Sequence, residues 1–157
     1  MTKPDPLQVL LDVFCEMIGK LAFMFGEPVD KSELAQTAAE YTMTSMEFSG
    51  AMEGQLALVV PEEMCAAIAA NVLGVEPEEA LEPARASDAI KEVLNVTCGH
   101  VVTAMAGERP VFRMSVPTLS SLDAGGWLAF RDLPGTVGIM VDEFPVLLRL
   151  LMGAASE

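Results

Sequence analysis

Apolar positions recur every three or four residues near the start of the chain, at Leu7, Leu10, Leu11, Phe14, Ile18, Leu21, Ala22 and Phe25. That period predicts an amphipathic helix over 7–26, with Pro4 and Pro6 as start signals and Gly26 and Pro28 as stop signals. Residues 29–39 carry mixed charge and read as a connector. From Tyr41 the period becomes two: Thr42, Thr44, Met46 and Phe48 alternate with Met43, Ser45 and Glu47, as in a strand with one buried face. Ser49 to Gly54 turns the chain, and Gln55 to Val60 returns as a second strand of a hairpin. Pro61 opens a helix whose stripe is Met64, Ile68, Val72 and Leu73, with Gly74 as its end.

Val75 to Arg85, acidic with two prolines, reads as an exposed linker. A longer helix is predicted from Ser87 to Met105, with Ser87 as its cap and Asp88 at the positive end of its dipole. One face gathers Ile90, Val93, Leu94, Thr97, Cys98, Val101, Ala104 and Met105. Gly107 to Pro110 is a turn, Val111 to Val116 strand-like, and Leu119 to Leu122 an extension past Pro117. Trp127 to Arg131 and Thr136 to Val141 read as further strands, and Pro145 to Met152 as a short closing helix. Strands in meanders beside helices imply an α+β fold. Expected is a single domain over 1–157, a mixed or antiparallel sheet with two long helices across it.

The long helix has a second, polar face. Asp88, Glu92, Asn95 and Gly99 follow one another at spacings of four, three and four, and so form a single row. A glycine inside a helix costs roughly 1 kcal/mol against alanine. The missing side chain would let another surface come close. On the pattern alone, a solvated face containing one poor helix former accounts for the row equally well.

Charge and composition narrow the field. There are 23 acidic and 9 basic side chains, a formal net charge of −14. That excludes nucleic acid and anionic membrane as expected partners, because both are bound through Lys and Arg. Hydrophobic residues make up 52% of the chain, yet no apolar run approaches the ~18 residues of a membrane span. No signal peptide is evident in the first residues, so a cytoplasmic location is expected. Cys15, Cys65 and Cys98 are scattered in apolar helical patterns and read as buried thiols. The one histidine, His100, has no triad partner, and Asp88 with Glu92 lacks the further ligands of a metal site. No metal or cofactor of the chain's own is expected.

The row Asp88, Glu92-x-x-Asn95, Gly99 resembles the E-x-x-N signature of the CheC/CheX/FliY family of bacterial chemotaxis phosphatases. The block from Phe48 through the turn to Pro61 and the helix ending Val72-Leu73-Gly74 is similar to that family's strand–turn–strand–proline–helix unit. Ser115 to Ser121 resembles its proline-bearing segment. Together these span Met43 to Asp142. The resemblance implies a protein whose substrate is another protein: a phosphorylated CheY-type response regulator that carries its own aspartyl phosphate, Mg2+ and lysine. Asn95 would insert and orient the attacking water, Glu92 would pair with the receiver's lysine, and Gly99 and Asp88 would form the contact around them. Some relatives carry a second motif on the first helix. Here Glu16 is followed by Gly19 where an asparagine would fall, so that site is expected to be absent. One motif resembles the CheX subtype, which implies a homodimer. The alternative class is a non-catalytic receiver-binding or flagellar-switch module of the same fold.

Overall fold

The computed structural model of the protein describes residues 5–76, 83–107 and 111–153. Its elements are α1 (Pro6–Ala22), β1 (Gly26–Val29), β2 (Glu40–Ser49), β3 (Gly54–Pro61), α2 (Glu62–Leu73), α3 (Pro83–Ala106), β4 (Arg113–Met114), β5 (Thr118–Asp123), α4 (Ala124–Arg131), β6 (Thr136–Val141) and β7 (Phe144–Met152). A short 3-10 turn covers Lys31–Glu33. The strands form one sheet in the order β1-β6-β7-β3-β2-β4, with β5 also on β2. Every pairing is antiparallel. The fold is α+β, with the two longest helices, α1 and α3, packed together over one face of the sheet.

Side-chain alternation divides the sheet into two faces. Met46 and Phe48 of β2, Leu56, Leu58 and Val60 of β3, and Val146, Leu148 and Leu150 of β7 point toward the helices. There they meet Leu10, Phe14 and Ile18 of α1 and Ile90, Val93, Leu94, Cys98 and Val101 of α3. The opposite face has a smaller core of Leu34, Tyr41, Val59, Trp127, Phe130 and Leu147. Gly138 faces that side; a Cβ there would come within 2.8 Å of Leu34 Cδ1 and 3.0 Å of Lys31 Cα, which is the close packing its glycine implies.

The two long helices run in opposite directions. α1 ends at Ala22 and delivers the chain to Gly26, which pairs with Val141 at the sheet end where β7 begins. α3 heads for the other end, since Gly107 leads within a few residues to Arg113, the partner of Ser49.

Several expectations need correction. Trp127 to Arg131 is helical, not a strand: the Asp123 carboxylate accepts from Gly126 N at 2.7 Å and starts a turn that buries Trp127 and Phe130, three residues apart. Pro145 to Met152 is a strand, not a helix; it lies between β3 and β6, and a strand buried on both faces has the same continuous apolar run as a buried helix. Only Arg113–Met114 of the 111–116 segment pairs. The connector at 29–39 conceals the end of β1 and the 3-10 turn. α1 stops at Ala22, which leaves Phe25 outside the apolar stripe. Pro61 caps α2 rather than opening it, and Leu73 at its end is exposed. Most of the turn at 107–110 and of the linker at 75–85 lies outside the described residues.

Candidate functional site

α3 begins at Pro83, one turn before Ser87, so Ser87 is an interior position and not the cap. Proline suits a first helical position because its missing N–H would have no partner there. The predicted inner face is buried at Ile90, Val93, Leu94, Thr97, Cys98 and Val101, joined by Ala89 and Val102. Ala104 is exposed and Met105 half-buried against the edge of the core. Burial alone pushes the Cys98 thiol up to about 11, so it stays a neutral core group.

The polar row is where the spacing places it. Asp88 and Glu92 are exposed, and Asn95 and Gly99 are half-buried on the same side of the helix. Residues one turn apart have Cβ atoms about 5–6 Å from each other, so one visiting surface meets the carboxylate and the carboxamide together. Neither side chain has a hydrogen bond or ion pair with any described residue. A Cβ placed on Gly99 would find nothing within 4 Å. The glycine is therefore not demanded by packing inside the chain, and the surface above it is open.

On α1, Glu16 is occupied by its own helix: Lys20 Nζ lies 2.7 Å from its carboxylate. That contact, more than the weaker pull of His100, holds the Glu16 carboxyl below its ordinary range. With Gly19 three residues on, α1 has no amide beside that carboxylate. His100 is exposed on the flank of α3 facing Glu16. Among the described residues, no group of three His, Cys, Asp or Glu side chains gathers as a metal ligand set would. A groove of about 680 Å³ lies elsewhere, at the sheet end between Glu47, Gln55, Arg113, Met114 and Leu151. The motif row lies away from that groove, with open space above Gly99.

An antiparallel sheet carrying two long helices, one of which offers a carboxylate and an amide without partners among the described residues, defines the class of this α+β protein. Residues 42–124, more than half of the chain, match the family described as chemotaxis phosphatase CheX, and the chain belongs to that family. No curated protein matches it. Among solved structures it is similar to chemotaxis protein CheX from Vibrio vulnificus, at 15% identity over 98% of this chain and 99% of that one, with a TM-score of 0.71. CheX from Desulfovibrio desulfuricans is 10% identical over 94% and 99%, with a TM-score of 0.69. The CheX–CheY–BeF3–Mg+2 complex from Borrelia burgdorferi is 15% identical over 96% and 99%, with a TM-score of 0.64. At these identities the likeness establishes the fold. No helix of the described residues is long and apolar enough to cross a membrane.

Proposed function

We propose that this protein accelerates hydrolysis of the aspartyl phosphate of a CheY-type response regulator, ending a chemotaxis signal. The observation that carries the reading is the open row on α3: Glu92 and Asn95 outward and without partners among the described residues, with nothing within 4 Å of a Cβ at Gly99. Membership of the phosphatase family supports it, as does the complex that the Borrelia relative forms with CheY.

Hydrolysis of an acyl phosphate asks chiefly for a water held in line and for stabilised charge. The receiver brings the phosphoaspartate, the Mg2+ and a lysine. Asn95 reaches into that site and holds the water through its carboxamide, with no general base. Glu92 pairs with the receiver's lysine and sets the angle of the helix. Gly99 admits the receiver's backbone, and Asp88 adds a polar contact at the rim. The chain needs no cofactor of its own in this scheme, works in the cytoplasm and acts as a homodimer; a monomer in sedimentation at micromolar concentration would count against the last point.

The test follows phosphoryl-receiver decay with the wild type, Asn95→Ala and Glu92→Ala. Removing the amide is expected to cost about 10²-fold of the acceleration, the scale of one well-placed polar group in a transition state. Rates that do not change in either variant overturn the assignment. Retained binding with an unaltered phosphate lifetime in the wild type leaves only a docking module.

A further inference from the structure

Phe23 and Phe25 are 78% and 71% exposed, the first with a backbone that opposes its presence. Phe23 has φ 56° and ψ 33°, a left-handed conformation disfavoured for a bulky side chain. Glycine or asparagine commonly fills such a helix end. The segment is held from several directions. Phe23 N donates to Gly19 O at 3.1 Å, and Asn71 Nδ2 donates to Ala22 O at 2.7 Å. Phe25 N donates to Asp142 Oδ1 at 3.0 Å, while Asp142 N donates to Phe25 O at 2.8 Å. Met24 between them is buried, which turns the two rings away from the core. The fold holds both rings out in water on a fixed backbone and gains little from them itself.

Their position gives them a use. α1 and α3 pack against each other in opposite directions, with Glu16 and His100 within electrostatic range. Phe23 lies seven residues beyond Glu16, about 10 Å along the helix. The same distance back from His100 reaches Val93, between Glu92 and Asn95. Phe23, at the end of α1, therefore stands at the sheet end from which the antiparallel α3 and its motif row set out, on the neighbouring helix.

Resting on the function proposed above, we infer that Phe23, with Phe25 beside it, is the apolar anchor for the receiver that the motif row engages, filling a hollow next to the phosphorylated site. Interfaces concentrate their energy in such aromatic anchors. Glu27, Asp142 and Glu143 are exposed nearby, so the hollow is expected to be flanked by basic side chains.

Phe23→Asn and Phe25→Ser in the full chain test this, because asparagine accepts the left-handed backbone. Decay is measured against phosphoryl-receiver concentration, with thermal unfolding and sedimentation of each variant. The expected result for Phe23→Asn is a thermal midpoint unchanged or raised and a KM increased about tenfold or more, with the rate at saturation within about twofold of wild type. Asn95→Ala should show the reverse split. A KM unchanged in both phenylalanine variants, while Asn95→Ala still loses turnover, overturns the anchor and leaves the phosphatase reading intact. Wild-type decay no faster than that of Asn95→Ala removes both. A changed sedimentation of Phe23→Asn with unchanged KM assigns the rings to self-association and also overturns the proposal. Should Phe23→Asn lose its folding transition, Phe25→Ser decides alone.

Discussion

Gly99 carries two opposed demands. Within the chain alanine would be better, since a Cβ meets nothing within 4 Å and the helix would lose a flexible residue. Gly99→Ala is therefore expected to stabilise the isolated protein by about 1 kcal/mol, a rise of about 2–4 °C in thermal midpoint. Gly99→Gln should fold as well yet lose receiver-stimulated decay almost completely, because its side chain fills the space the visitor needs. Calorimetry and the decay assay on the same samples check this; an active Gly99→Gln would show that no close approach occurs. The row Asp88, Glu92, Asn95 and Gly99 was fully legible in the sequence, because helical spacing alone settles which side chains share a face. Phe23 and Phe25 were not. Both are apolar and follow the stripe of α1, so Phe25 read as core; only the left-handed turn at Phe23 sends the rings outward.

At the scale of elements, legibility followed the strength of local signals. The β2–β3 hairpin has clean alternation, and α3 has a long period, and both were recovered with small errors at their ends. β7 and α4 were exchanged in type because an apolar run of eight or nine residues has no intrinsic period, and its identity is decided by what lies on either side. The junction of β2, α2 and α4 has a consequence for pH. Glu40 begins β2 opposite Asp123 of β5, and its carboxylate also lies beside that of Glu62 at the start of α2. A proton shared with Glu40, reinforced by repulsion between the two charges, raises the Glu62 carboxyl above its ordinary value. A raised value means that the folded state keeps the proton longer than the unfolded chain does. The stabilisation is thus present below about pH 4.5 and is lost as pH rises through the folded value. Glu40→Gln removes the repulsion and leaves Glu62 to favour the helix dipole. Its thermal midpoint should exceed that of wild type at pH 7, and the gap should close by about pH 4. A constant gap across a pH series would show that the two carboxylates do not share a proton.

The whole molecule is a sheet with unequal covers. Among the described residues α1, α2 and α3 lie on one face; on the other, α4 and the 3-10 turn bring Trp127, Phe130 and Leu34 onto Tyr41, Val59 and Leu147. Trp127 is wholly buried, its ring stacked on Tyr41 with centroids 5.3 Å apart and the Arg131 guanidinium 6.0 Å from its centre. Its indole Nε1 finds no acceptor among the described residues, so the indole itself is held by packing, while Tyr41 Oη beside it accepts from Thr37 N and Ala38 N and Arg131 Nη1 donates to Leu34 O. Trp127→Ala is expected to cost about 3–5 kcal/mol of unfolding free energy in denaturant titration. Phosphatase turnover per folded molecule should be unchanged, since the sheet separates this core from the motif helix. Loss of turnover in a sample that remains folded would mean that the two faces are coupled.

β7 joins β1 and β6 to the four strands on its other side, yet it is made after all of them. A ribosome-bound chain that has not released Phe144 to Met152 has two unjoined ribbons whose inner margins are bare backbone, β3 on one and β6 on the other. Assembly of the sheet must wait for those nine residues, and until then both margins are open to any passing strand, a holdase among them.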